Sequence, residues 1–428
     1  MKRAVKALGA ATRMRDNFDS AAIRWVFIIV AYAYVARLAI VWFVPISVYW
    51  TVPASAWPAF SDSATFLSTS LALALAFASF YLTIGFTRRF NNAGLPKPRI
   101  FQRTSLAPSA SVISFVFIIT IAIAAILNAV AFARGIGHQG RFIEEELPFK
   151  LVGAIIYAKT AIIPALLLLL VYWAEVRGKR GLSRFVAVSM VCLGLIDMFV
   201  LESRGAALKP VLMLALLVWI SGFRLKTSDK YALTILFVSL LLAVQVVTST
   251  RLLGEQTDEQ WFNKILFGLN FLLFRITGIE QLMAIQYLGS PIPLSELPAV
   301  LASPRGIPGY YTIVLLGVDD SLPQTFAPSG LGWLYLAAGL PGIIVGSAIA
   351  GLLVTVGWRS LSRVFPSSES VVKTFYLLML IIVICEGAME PAILSFLVSA
   401  GTLKLMEPKR KRANPKFIPA NHSPRSGV

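Results

Sequence analysis

Ten apolar stretches alternate with polar segments along the chain: Trp25–Val44, Ala64–Phe86, Val112–Phe132, Leu151–Ala174, Phe185–Leu201, Gly205–Phe223, Tyr231–Val247, Leu331–Val356, Val371–Cys385 and Pro391–Leu405. Most reach or approach the roughly 20 residues that a helix needs to cross a bilayer. The pattern predicts an all-α, polytopic membrane bundle of about ten transmembrane helices. One connection is long: Thr248–Gly330, between the seventh and eighth helices. It holds an apolar run, Trp261–Phe274, broken only by Asn263, Lys264 and Asn270. A further crossing there would invert everything downstream. The run is therefore expected to be an interfacial or re-entrant helix on the outer surface, continuing to about Tyr287. The rest of the loop is rich in Pro and Gly. In the eighth helix, Gly342, Gly346 and Ala350 form a small-residue stripe expected to admit a neighbouring helix, and Pro341 is expected to kink it. The last two stretches are short and separated by Glu386-Gly-Ala-Met-Glu-Pro391, as either a tight hairpin or a broken pair.

Charge sets the orientation. The formal net charge is +18, from 39 Lys and Arg against 21 Asp and Glu. With the N-terminus in the cytoplasm, 28 of the 39 basic residues fall in or at the ends of cytoplasmic segments, and 14 of the 21 carboxylates fall on the other side. That asymmetry is the positive-inside rule, and it puts both termini in the cytoplasm. In a soluble protein such an excess would point to nucleic acid; here topology and attraction to anionic inner-leaflet lipid account for it. Residues 1–24 read as a basic cytoplasmic segment without a cleavage site, 25–405 as the membrane domain with its external loop 248–330, and 406–428 as a basic disordered tail. Cys192 and Cys385 fall within helices and are expected to be packing residues.

Familiar catalytic devices are absent from the sequence: no phosphate-cradling loop, no dinucleotide fingerprint and no His pair at metal spacing. Only His138 and His422 exist, so no metal and no cofactor is expected. Arginines on the outward side stand out instead. Only Glu202-Ser-Arg204 joins the fifth and sixth helices, which places Arg204 at a helix N-terminus with Ser203 as cap. Helix-end N–H groups and a guanidinium together favour an anion. Arg251 follows the seventh helix, Arg275 interrupts the interfacial run, and Arg305 lies in the Pro/Gly loop. Together they point to a polyanionic ligand such as a diphosphate. Within the helices, Arg37, Lys159 and Asp197 are charges that need partners; Lys159 and Asp197 sit at compatible depths to pair. Glu386 and Glu390 flank the outward turn between the last two stretches, where a carboxylate is either a hydrated turn residue or a general base.

Three passages carry a family resemblance: Glu202-Ser-Arg-Gly-Ala206 opening a helix, Phe274-Arg-Ile-Thr-Gly278 in the outer loop, and Ala327-Pro-Ser-Gly-Leu-Gly-Trp-Leu-Tyr335 leading into Gly339-Leu-Pro-Gly342. In order and placement the chain resembles the bacterial oligosaccharide repeat-unit polymerases, the O-antigen and exopolysaccharide polymerases of the Wzy type, over roughly residues 110–400. One departure is Trp333, where family members often carry an acidic residue. The resemblance implies a metal- and nucleotide-independent glycosyltransferase of the bacterial inner membrane. It would move a glycan from undecaprenyl diphosphate to a lipid-linked acceptor on the periplasmic face. It implies Arg204, Arg251, Arg275 and Arg305, with Ser203, as diphosphate-binding residues, and Glu390 or Glu202 as the base. The implied partners are undecaprenyl-diphosphate-linked oligosaccharides, membrane lipids, a chain-length regulator and a flippase.

Alternatives from neighbouring and distant classes are a glycan ligase, a transporter or flippase of lipid-linked sugars, and a non-catalytic scaffold. The ligases usually carry an outer-loop histidine, which Thr248–Gly330 lacks. A transporter predicts more charge deep in the bundle and internal symmetry.

Overall fold

The computed structural model describes residues 26–44 except 27 and 29, then 53–91, 107–136, 151–200, 204–223, 278–303, 306–318, 327–387 and 389–407, with 234, 238 and 239 isolated; it leaves the side chains of 88–91, 199, 204–207 and 386 undescribed. Among the described residues the secondary structure is helical throughout, with no strand. The main helices are α1 (Ala31–Phe43), α2 (Ser63–Asn91), α3 (Ala110–Arg134), α4 (Leu151–Val176), α5 (Arg180–Val200), α6 (Arg204–Ser221), α7 (Ile279–Leu288), α8 (Leu297–Ala302), α9 (Gly306–Tyr310), α10 (Gly330–Val364), α11 (Glu369–Glu386) and α12 (Met389–Leu405). Of these, α2, α3, α4, α5 and α10 are each long and apolar enough to cross a membrane. The stretch Tyr231–Val247 and the run Trp261–Phe274 lie outside the described residues, Thr234, Val238 and Ser239 apart.

Local chemistry explains the boundaries. Helix α2 is capped by Asp62, whose carboxylate accepts from the Thr65 N–H at 2.8 Å and the Thr65 hydroxyl at 2.5 Å. Those two bonds hold the Asp62 carboxyl below its ordinary value, because they favour the charged form. Helix α3 starts at Ser109, which caps the Val112 N–H, and stops at Gly135 in the left-handed region, with Arg134 against its negative end. Its two faces differ. Ile113, Phe117 and Ala124 are buried, whereas Phe115, Ile118 and Ile126 are exposed. Such an apolar outer face suits lipid and not water.

The helices gather around two main cores. One is built from α3, α4, α5 and α6 with parts of α11 and α12, around Leu167–Trp173, Met190, Met213 and Phe375. The other joins α1, α2, α7, α9 and α10 around Tyr34, Phe60, Met283 and Ile343. Cys385 is buried in this second core, whereas Cys192 is exposed on α5 and packs little, contrary to expectation.

Two further expectations are corrected. Within the span expected to be an outer-surface helix up to about Tyr287, the described part, α7, does not lie on a surface: Ile279–Ile285 are all buried, and α7 packs against α1, α2, α10 and the 3-10 helix Ala54–Phe60. Its residues are apolar enough that burial outweighs solvation at the boundary. In α10 the chain breaks at Ala338 and Gly339, just ahead of Pro341, with Gly339 at φ 63°. The break folds Leu334 back onto the small-residue stripe, where a Cβ on Gly346 would sit 2.4 Å from the Leu334 side chain. So Gly342 and Gly346 receive their own helix's leading half. Helix α2 is met further along, at Gly351, against the Phe80 carbonyl and Thr83.

Candidate functional site

Four chain segments distant in sequence meet at one end of the second core, around α1. The first is Gly278–Glu280, opening α7. A Cβ on Gly278 would lie 2.6 Å from the Tyr34 ring, so only glycine lets α7 seat against α1 here. Two residues on, Glu280 forms an ion pair with Arg37. The Arg37 Nε donates to Glu280 Oε1 at 2.6 Å, Nη2 donates to the same oxygen, and both side chains are fully buried. A carboxylate in the first turn also faces the positive end of α7. A buried charge is tolerated only with such partners.

The second segment is Ser329–Leu331, which leads into α10. Ser329 takes a positive φ of 64°, a costly conformation for a residue with a Cβ. Its hydroxyl accepts from the Gly332 N–H at 3.2 Å and so caps the helix. The third is the end of α11. The Tyr34 hydroxyl donates to the Ile384 carbonyl at 2.6 Å and accepts from the Leu331 N–H at 3.4 Å. Tyr34 thus ties α1 to both segments. The backbones touch: a Cβ on Gly330 would meet the Val383 carbonyl at 2.7 Å, and one on Gly387 would meet the Ser329 carbonyl at 2.2 Å.

The fourth segment, α9, stands beside the start of α12. A Cβ built on Gly306 would lie 3.9 Å from Glu390 Oε1, and Glu390 is exposed. Just after α9, Tyr311 is fully buried and donates to Gln281 Oε1 at 2.5 Å, which links this segment to α7. Burial pushes the Tyr311 hydroxyl well above its ordinary value.

Of the residues singled out from sequence, Glu390 therefore sits beside Gly306, the neighbour of Arg305 in sequence. Helix α6 begins at Arg204, whose side chain is not described. Glu202, Ser203, Arg251, Arg275 and Arg305 lie outside the described residues. Lys159 and Asp197 come together elsewhere, with 3.2 Å between Nζ and Oδ1. Among the described residues no three His, Cys, Asp or Glu side chains are grouped to hold a metal ion.

Sequence reasoning missed the role of Tyr34 and the partner of Arg37. The need for a partner was legible, because a lone arginine inside an apolar helix is expensive. Which of the chain's 21 carboxylates would supply it was not. Comparison with known proteins finds no matching family model, no matching curated sequence and no matching solved structure.

Proposed function

We propose that this protein is a membrane glycosyltransferase that polymerises undecaprenyl-diphosphate-linked oligosaccharide repeat units into a surface polysaccharide. The observation that carries the reading is the convergence just described. Gly278 and Ser329–Leu331, from two of the three passages that resemble the repeat-unit polymerases, meet around Tyr34 beside the turn before Glu390. Segments separated by tens to hundreds of residues share one end of the bundle, which is what a site working on a large amphiphilic substrate requires.

In this reading the chain crosses the inner membrane about ten times with both termini in the cytoplasm, and the site faces the periplasm. Cleavage of the anomeric bond leaves negative charge on a lipid diphosphate. Arg204, Arg251, Arg275 and Arg305 neutralise that charge, with Ser203 at the helix start. Glu390, open to solvent, or Glu202 takes the proton from the acceptor hydroxyl. The Arg37–Glu280 pair and Tyr34 hold the platform without touching the reacting atoms. Apolar helix faces take the polyprenyl chains.

The test replaces Arg204, Arg251 and Arg275 singly with Ala and follows glycan chain length in cells that make the polymer. Single-repeat glycans with intact export support polymerisation. Unchanged long chains in all three variants overturn the arginine assignment.

A second reading, a transporter of lipid-linked sugars, is favoured by one observation. Ionisable side chains pair between apolar helices, as Arg37 with Glu280 and Lys159 with Asp197. That reading predicts precursor held on the cytoplasmic side in the same variants.

A further inference from the structure

Between α4, α5 and α6 lies a small cleft of about 50 Å³ whose walls are apolar except at one patch. Ile163, Leu167, Met190 and Met213 line it, and so do three ionisable side chains: Lys159, Asp197 and Lys209. The patch has a local origin. Helix α4 passes through a π-helical turn at Ala158–Ile162, a distortion frequent at functional sites. Pro164 follows and has no N–H to give the Thr160 carbonyl. Lys209 fills that vacancy, its Nζ donating to the Thr160 carbonyl at 2.6 Å. On the other side of α4, the Ser399 hydroxyl of α12 donates toward the Ala161 carbonyl at 3.4 Å.

The charges do not cancel. Lys159 faces Asp197 at 3.2 Å, and Asn128 adds a hydrogen bond to that carboxylate. Among the described residues Lys209 is then the second ammonium against a single carboxylate. An ammonium has three donors, and the Thr160 carbonyl takes one. Excess positive charge among apolar side chains is costly inside a bilayer, and an oxyanion in the cleft would offset it.

Depth narrows the choice. Lys209 is five residues into α6, about 7.5 Å from its start at the helical rise, and Asp197 is three residues before the end of α5. The polar patch therefore lies near one end of the helices, at a depth a lipid headgroup reaches. Thr160, Leu193, Asp197 and Lys209 are partly exposed at the mouth. Beyond it, α5 and α6 expose Val188, Ile196 and Leu212, a surface for an acyl or prenyl chain.

We propose that this cleft binds a single phosphate-class oxyanion, with Lys209 and Lys159 as its cationic contacts and Asp197 as the group that limits the charge it accepts. The site is distinct from the Tyr34–Glu390 assembly and does not depend on glycan polymerisation.

The full-length protein in neutral detergent tests this by thermal unfolding with phosphatidylglycerol, phosphatidylcholine or inorganic phosphate added, and by counting retained lipids with native mass spectrometry. Phosphatidylglycerol is expected to raise the melting temperature and remain bound, and phosphatidylcholine to do neither. Lys209→Met is expected to weaken that response about tenfold or more, as for loss of a charge-assisted contact, whereas Lys209→Arg keeps most of it. Asp197→Asn is expected to tighten binding, and it serves if Lys209→Met does not fold. A response to inorganic phosphate as strong as to lipid assigns the site to a soluble anion; a response to lipid alone assigns it to a headgroup. Equal responses in wild type, Lys209→Met and Asp197→Asn overturn the proposal, whatever the glycan phenotype.

Discussion

Arg37 and Glu280 stand 243 positions apart and share a fully buried ion pair that fastens α7 to α1. Removing one partner leaves the other as an uncompensated buried charge, which costs about 3–5 kcal/mol. Arg37→Met and Glu280→Gln are each expected to lower the melting temperature sharply in detergent. The double replacement Arg37→Met with Glu280→Leu is expected to recover much of the loss, because neither charge then has to be desolvated. A double variant no more stable than either single one would show that the pair does not act as a unit.

Two glycines give opposite expectations for the same substitution. Gly387 has φ 66°, and a Cβ there would sit 2.2 Å from the Ser329 carbonyl. Gly387→Ala should cost about 2–4 kcal/mol, from left-handed strain plus backbone overlap. Gly401, within α12, has open space where its Cβ would go. Gly401→Ala should stabilise by up to about 1 kcal/mol through helix propensity. Chemical unfolding of both variants side by side checks the pair, and equal effects would contradict the close approach of Ser329 to the end of α11.

Asp62 gives a pH dependence with a definite sign. Its carboxyl is held below the ordinary 3.8 by the Thr65 hydroxyl and N–H. A depressed folded-state value contributes stability above the unfolded value, and that contribution is lost as pH falls through the folded value. Wild type should therefore melt above Asp62→Ala at neutral pH, with the gap closing below about pH 4. A gap that stays constant from pH 7 to pH 3 would rule out the carboxylate as the cap.

Glu390 is exposed, so Glu390→Gln should leave the melting temperature unchanged. If Glu390 is the base of the proposed reaction, polymer formation should fall about 100-fold or more while single-repeat glycan still reaches the surface. Wild-type polymer length in Glu390→Gln would leave Glu202 as the candidate base.

From hydrophobic spacing and charge alone, the helical class and most helix positions followed. An apolar run of that length has few ways to satisfy its backbone except as a helix, so α2, α3, α5, α11 and α12 begin and end within a few residues of the stretches that announced them. The need of Arg37 and Lys159 for partners followed too, since desolvation of a charge is a property of the residue and its surroundings. Tertiary contact decided the rest. Glu280 became the partner of Arg37 because Gly278 lets α7 seat on Tyr34. The α10 stripe was filled by Leu334 because the chain breaks at Ala338–Gly339. Lys209 turned toward Thr160 because Pro164 had left that carbonyl without a donor. Each depends on which side chain arrives across a gap of a few ångströms, and spacing along a chain carries no such distance.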